Sequence, residues 1–419
     1  MRKGRFDRVP NHYSGPVIQR IKEFRHAHGR KSLLPTLFKV GQLELLIPRH
    51  FGFCFGVERA IHMAFCALNE APQRSTYLVS EIIHNPLVNH ELERRGIRFL
   101  FDAGGRRQVP EDQIAADDLV LIPAFGTTVQ IEASLRRSGI DTDAADFRRR
   151  YDTTCPFVSK VWKRGEELGR AGYTIVIHGK FNHEETQATY SHIQQHAHTV
   201  VVLDSEEARL VAEYIRGRLT PDALARHFGT CWSPGFDPRR DLERLAVVNQ
   251  TTMLAGETRE VSGILRAAMQ DRYGADRLEY HWVDTSDTLC YATNQNQNAT
   301  MGMRDAGAEL AVIVGGCNSS NTAHLVRICA DMMPSYLVEN QEYIISAKEI
   351  RHFDIERQAW VLTRDWLPHR LPGRIAVTSG ASCPDVLMNQ VITRIVGCYG
   401  YGTEEIERGM ENLAILDSR

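Results

Sequence analysis

Leu310-Ala311-Val312-Ile313-Val314-Gly315-Gly316-Cys317-Asn318-Ser319-Ser320-Asn321 begins with five apolar residues in a row, passes two glycines and ends in a polar cluster. Thr322-Ala323-His324-Leu325-Val326 follows with helical character. An unbroken apolar run of this length suits a strand buried on both faces, as in a parallel sheet. The same order recurs. Residues 119–123 precede Ala124-Phe125-Gly126-Thr127-Thr128, and 173–177 precede His178-Gly179-Lys180. Residues 245–248 precede Asn249-Gln250-Thr251-Thr252, and 375–378 precede Ser379-Gly380-Ala381-Ser382-Cys383-Pro384. Strand, polar loop and helix in repetition predict an α/β protein. In such sheets ligands bind at the carboxyl ends of the strands, where these polar loops fall.

Three cysteines stand apart in similar settings. Cys54 lies in Phe51-Gly52-Phe53-Cys54-Phe55-Gly56-Val57, Cys155 in Asp152-Thr153-Thr154-Cys155-Pro156, and Cys290 in Asp287-Thr288-Leu289-Cys290-Tyr291-Ala292-Thr293. Each is placed at the mouth of a predicted helix. Their spacings of 101 and 135 residues correspond to roughly one domain of chain per cysteine. Three such thiolates on a [4Fe–4S] cluster would leave one iron open to a substrate. Structural zinc is the rival, but it favours paired ligands two to four residues apart, and the chain has no Cys-x-x-Cys. Cys66, Cys231, Cys317, Cys329, Cys383 and Cys398 read as buried or neutral residues.

The bulk composition narrows the classes. With 419 residues the chain can form two or three domains. A net charge of −2 gives no field that favours nucleic acid. No run approaches the roughly 20 apolar residues of a membrane span. Nine unpatterned cysteines point to a reducing compartment and the cytoplasm, with the plastid stroma as the alternative. The first 32 residues carry nine Lys or Arg and no apolar signal region, and read as a surface or mobile extension suited to an acidic partner. The proline-bearing stretch 206–241 reads as a surface insertion.

The loops supply anion and proton chemistry. Ser319, Ser320 and Asn321 open a helix, whose free N–H groups suit phosphate, although plain N-capping uses the same residues. Ser382 before Pro384 repeats the arrangement. His84, in Ile83-His84-Asn85-Pro86, follows an apolar run. His183 and Glu185 flank Glu184 and would face one side in an extended loop, a cation beside a proton-transferring acid.

In order along the chain, these segments resemble the 4-hydroxy-3-methylbut-2-enyl diphosphate reductase (LytB) family, in its plant and cyanobacterial branch. The stretches that carry the likeness include Gly52-Phe53-Cys54-Phe55-Gly56, Ile83-His84-Asn85-Pro86, Thr153-Thr154-Cys155-Pro156, His183-Glu184-Glu185-Thr186, Gln250-Thr251-Thr252, Asn318-Ser319-Ser320-Asn321 and Ser379-Gly380-Ala381-Ser382. The resemblance implies three similar α/β lobes in a pseudo-threefold arrangement around a central [4Fe–4S] cluster held by Cys54, Cys155 and Cys290. It implies a diphosphate substrate on His84, His183, Ser319, Ser320, Asn321 and Ser382. Glu185 would be the acid and Thr251 the neighbour of the substrate hydroxyl. The products would be isopentenyl and dimethylallyl diphosphate, with a ferredoxin or flavodoxin type protein as electron donor. Applied to this chain, it divides 1–40 as a basic extension from lobes at 41–154, 155–289 and 290–395, with 396–419 packing on the first lobe. Oligomeric state stays open. Two departures stand out. Phe125 occupies a loop where many short bacterial members carry histidine, which leaves Thr127 or Thr128 as substitute contacts, and Cys383 sits where threonine is common. The alternative is another three-cysteine [4Fe–4S] enzyme of similar architecture acting on a different small anion, such as a quinolinate-synthase-like dehydratase. A redox sensor is the non-catalytic reading.

Overall fold

The computed structural model describes residues 13–416 apart from 29–31, 71, 103, 284, 286, 287, 304 and 305. Much of the expected basic extension (Arg2, Lys3, Arg5, Arg8, Arg30, Lys31) lies outside the described residues, as does Asp287. In chain order the strands are β1 (Thr36–Val40), β2 (Leu43–Ile47), β3 (Thr76–Leu78), β4 (Ile97–Phe99) and β5 (Leu119–Leu121). Then come β6 (Thr174–His178), β7 (Thr199–Val202), β8 (Leu245–Asn249), β9 (Trp282–Val283) and β10 (Leu310–Val314). The last are β11 (Ser335–Val338), β12 (Glu349–Asp354), β13 (Ala359–Arg364), β14 (Arg374–Ser379) and β15 (Ala414–Ile415). The five apolar runs of the sequence form β5, β6, β8, β10 and β14, and every residue of β6, β8 and β10 is buried. That is the signature of strands covered on both faces.

Packing divides the chain into two units. One holds residues 1–58, 84–89 and 291–419; the other holds 59–83 and 90–290. The first contains an eight-stranded sheet ordered β13-β12-β11-β10-β14-β2-β1-β15, and the second contains two sheets, β4-β3-β5 and β7-β6-β8-β9.

One topology is repeated in all three sheets. The first strand is central, the second lies parallel on one side and the third parallel on the other: β4-β3-β5, β7-β6-β8 and β11-β10-β14. A fourth parallel segment then joins the third strand. It is β9 beside β8, β2 beside β14, and beside β5 an isolated parallel bridge between Ile122 and Asp152. Each fourth segment leads to one cysteine: Cys290, Cys54 and Cys155 respectively.

The lobe boundaries therefore differ from those expected. A cysteine closes its sheet instead of opening the next, and β2, assigned to a lobe at 41–154, belongs with β10 and β14. The C-terminal segment likewise joins this eight-stranded sheet, since β15 pairs with β1. Register explains it, because Arg374, Ile375 and Ala376 of β14 pair with Glu44, Leu45 and Leu46 of β2, and Arg374 Nε donates to Glu44 Oε2 at 2.8 Å.

From residue 16 onward the N-terminal segment is part of the core. Helix Pro16–Ala27 buries Val17, Ile18 and Ile21 in the cluster that includes Phe38, Leu45, Met388 and Ile392. Each such side chain contributes about 1.5–3 kcal/mol of burial, and Lys22 reaches Asp385 at 2.7 Å. The stretch 206–241 is likewise no excursion. Helix Ser205–Ile215 lays Ala208, Val211, Ala212 and Ile215 on the same cluster as Val200, Val247 and Leu265. Among the described residues no helix is long and apolar enough to cross a membrane.

His178 ends β6 with no exposed surface, and Nδ1 shares hydrogen bonds with Asn249 Oδ1 (3.3 Å) and Thr258 Oγ1 (3.2 Å). Burial is the main cause that lowers its pKa to about 4. The unfolded chain protonates this ring near 6.5 and the folded chain only near 4, so stability is full above about 6.5 and falls as pH drops through that window. Between pH 7 and 5 the loss from this residue is about 2 kcal/mol. Urea unfolding of His178→Asn at both pH values should show a shallower acid loss than the parent chain; an equal loss would clear His178 as its source.

Candidate functional site

Each of the three cysteines is half-buried, none is in a disulfide, and each immediately precedes a helix: Phe55–Glu70, Pro156–Arg170 and Tyr291–Met301. Their backbones are fixed in one way. Cys54 N–H donates to Ala381 O at 3.1 Å, Cys155 N–H to Ala124 O at 2.8 Å, and Cys290 N–H to Thr251 O at 3.1 Å. Each acceptor lies two or three residues beyond the third strand of its own sheet. A helix N-terminus offers free N–H groups and partial positive charge, which favours thiolate over thiol. Proline at the first helical turn after Cys155 fits that position.

In the second unit the hydrogen bonds run as a chain from the acid to a cysteine. His183 caps helix Glu184–Ile193, its Nδ1 accepting from Glu185 N at 3.2 Å. Glu185 is 4% exposed, and its Oε1 accepts from Thr251 N at 2.5 Å. Thr251 O in turn holds Cys290. The side chain of Gln250 braces the same loops, its Oε1 accepting from Lys180 N and from Thr186 Oγ1, both at 3.1 Å. His183, Glu185, Thr251 and Cys290 are therefore brought together.

Phe125 is buried, with its ring edge-to-face on His183 at 6.5 Å between centroids. It occupies space against a diphosphate-site candidate. Its loop is clamped from below: Gly126, at φ +79°, leaves room for the Trp162 ring, which stacks on His192 at 3.8 Å. His192 Nε2 lies 3.1 Å from Thr127 O, placing a donor on that carbonyl. Thr128 Oγ1 accepts from Ile131 N at 3.3 Å as the cap of helix Val129–Arg137, which engages one lone pair of its hydroxyl.

The first unit gathers the other candidates at the exits of β10 and β14. Ser319 caps helix Ser320–Ala330. Ser382 Oγ lies 3.5 Å from Ser319 Oγ and donates to His84 O at 3.2 Å. Asn321 Oδ1 accepts from Ala381 N at 2.8 Å, while its buried Nδ2 has no partner among the described residues. Gly380 is required by closeness, since a Cβ there would collide with Thr322. Ser319, Asn321, Ser382, His84 and Cys54 thus share one set of loops, and Ser320 starts the same helix.

The donor chemistry fits an iron–sulfur cluster. Three thiols at helix N-termini are equivalent, whereas others are held as thiols: burial pushes Cys329 up to about 12, and burial with Glu339 pushes Cys317 up to about 11. Cys383 is fully buried and also raised. Among the described residues no three His, Cys, Asp or Glu side chains are grouped as a site for a single metal ion.

Two contributors escaped the sequence reading. Arg59 donates to Asp152 O, Thr153 O and Thr154 O at 3.1–3.2 Å, satisfying three carbonyls just before Cys155. Asn249 Nδ2 donates to Thr288 Oγ1 at 2.5 Å and ties the Cys290 loop to β8. An arginine in the helix after Cys54, next to Glu58 in sequence, was the available signal for the first; nothing local marked the second.

The chain is similar to known proteins along most of its length. The LytB protein family model matches residues 45–396. The 4-hydroxy-3-methylbut-2-enyl diphosphate reductase of Gloeobacter violaceus is 39% identical over 86% of this chain and 84% of its own. That of Synechococcus sp. strain CC9311 is 40% identical over 85% of this chain and 86% of its own. The solved structure of the E-1-hydroxy-2-methyl-but-2-enyl-4-diphosphate reductase from Plasmodium falciparum has the same fold, with a TM-score of 0.57 at 21% identity, over 84% of this chain and 87% of its own. With its three equivalent cysteine settings and its ordered motifs, the chain belongs to the LytB family.

Proposed function

We infer that this chain is a 4-hydroxy-3-methylbut-2-enyl diphosphate reductase, which removes the allylic hydroxyl of its substrate to give isopentenyl and dimethylallyl diphosphate, the last step of the methylerythritol phosphate route. The observation that carries this reading is the hydrogen-bonded run Glu185–Thr251–Cys290, which sets a buried acid two links from a cluster-ligand candidate. The substrate's diphosphate is bound by His84, His183, Ser319, Ser320, Asn321 and Ser382. Support comes from the helix N-terminus at Ser319 and from the buried Nδ2 of Asn321, which has no partner among the described residues.

Cys54, Cys155 and Cys290 would hold a [4Fe–4S] cluster. When bound, it supplies electrons one at a time and offers an open iron as a Lewis acid for the substrate hydroxyl. The protein residues orient and protonate. Thr251 N–H fixes one carboxyl oxygen of Glu185, so the transferable proton sits on the other and is delivered as the hydroxyl departs as water. Thr251 also lies beside the reacting hydroxyl and limits its rotation. Exclusion of bulk water follows from burial of Glu185 and Thr251. Electrons come from a ferredoxin or flavodoxin type protein, and the cytoplasm is the compartment, with the plastid stroma as the alternative.

Reoxidation of reduced methyl viologen by reconstituted protein, started anaerobically with 4-hydroxy-3-methylbut-2-enyl diphosphate, tests the reaction; no substrate-dependent reoxidation by cluster-loaded protein would reject it. Glu185→Gln should keep the cluster absorbance and lose about 10²–10⁴-fold in turnover. Retained turnover would remove Glu185 from the acid role. Cys155→Ser should strip or cripple the cluster on reconstitution, read by iron content and absorbance; full iron with a parent-like spectrum would mean that Cys155 is not a ligand.

A further inference from the structure

The loop that ends in Cys155 is bordered by a groove of about 560 Å³. Five cations line it: Arg59, Arg148, Lys160, Lys163 and Arg164. Two acids, Asp152 and Glu167, oppose them. Thr154 and Pro156, the two neighbours of Cys155, also form its wall. Lys160, Lys163, Arg164 and Glu167 occur at helical spacing on one face of Pro156–Arg170, the helix that Cys155 opens.

The groove carries an excess of three cations in a chain whose net charge is −2. It is also not built like a closed anion pocket. The guanidinium of Arg59 is spent on three backbone carbonyls, and Arg148, Lys160 and Lys163 are exposed. A spread of exposed cations works by steering and orienting a large, oppositely charged body more than by enclosing a small one.

The reaction inferred above says what such a body would carry. Breaking the allylic C–O bond releases the hydroxyl as water with one proton, and places a second proton on carbon. Two electrons balance the change, and an external reductant must bring them. We propose that the groove beside Cys155 is the docking surface for a small acidic one-electron carrier protein, which delivers those electrons in two successive encounters next to the Cys155 ligand. This rests on the functional reading above. Arg59 shapes the Cys155 loop, while the exposed Lys160 and Lys163 on the helix face, beside Arg164 paired with Glu167 at 3.5 Å, carry the surface charge.

The test uses a plant-type [2Fe–2S] ferredoxin as the acidic carrier and the variant Lys160→Glu/Lys163→Glu. Arg226→Glu, an exposed cation outside the groove, is the control. Ferredoxin affinity, measured by calorimetry at low salt, should weaken at least about tenfold in the double variant and stay within about twofold in the control. It should also fall steeply with added salt in the parent chain. Turnover driven by methyl viologen should be unchanged in both variants, while the KM for ferredoxin rises by about the same factor as the Kd in the double variant. Parent-like ferredoxin affinity in the double variant would overturn the proposal. If that variant instead loses only binding of inorganic pyrophosphate, the groove is a small-anion site and the proposal falls as well. Absence of dye-driven turnover in the parent chain would reject the functional reading, whereas the affinity measurement would still decide the docking surface.

Discussion

A single backbone hydrogen bond, made three times, sets the chemistry of this protein. The N–H of each candidate ligand donates to a carbonyl just past the third strand of its sheet, Ala381 for Cys54, Ala124 for Cys155 and Thr251 for Cys290. The bond fixes where the chain stops being sheet, and a helix starts on the next residue. A thiol placed there meets the unpaired N–H groups of the helix end, which lower the cost of holding it as thiolate. Because the three sheets share one strand order, the same constraint recurs without any repeat in sequence. The strand order also places the remaining candidates. Loops at the exits of the first and third strands of each sheet flank a change in chain direction, which is where α/β proteins bind ligands. His84, His183 and Ser319 follow first strands; Phe125, Thr251 and Ser382 follow third strands.

Burial then separates reactive groups from inert ones. Glu185, almost without exposure, requires a partner and has the Thr251 N–H. His178, close by in sequence, is more deeply buried and kept neutral by that burial, so it acts as a strut between β6, β8 and the helix Ala255–Tyr273. Cys329 and Cys383, packed in the cores, are pushed toward the thiol form. The same side-chain types thus perform opposite tasks according to depth and hydrogen bonding.

Much of this was legible in the chain because its signals are local. Five apolar runs became five strands of parallel pairing, and the cysteines sit at helix starts, as their flanking glycine, proline and threonine residues suggested. What escaped depends on distant partners. β3 and β4 are three residues long, too short to show a period. β12 and β13 form an antiparallel hairpin with mostly exposed or half-buried residues, unlike the continuous apolar runs used as a guide. The placement of β2 beside β14 joins residues about 330 apart, and no local pattern carries that pairing. Helix Ser205–Ile215 was masked by the prolines that follow it, although its apolar face is regular. Arg59 is the instructive miss at the site: its three acceptors are backbone carbonyls 93–95 residues away, which leave no mark on side-chain sequence.

The proposed reaction requires the thiolates of Cys54, Cys155 and Cys290 to share one cluster with one iron left open. The most direct measurement is the Mössbauer spectrum of ⁵⁷Fe-reconstituted protein, recorded with and without 4-hydroxy-3-methylbut-2-enyl diphosphate. The account predicts a four-iron cluster in which one iron differs from the other three and alone changes when the substrate is added. Four equivalent irons, or a spectrum indifferent to the substrate, would contradict it.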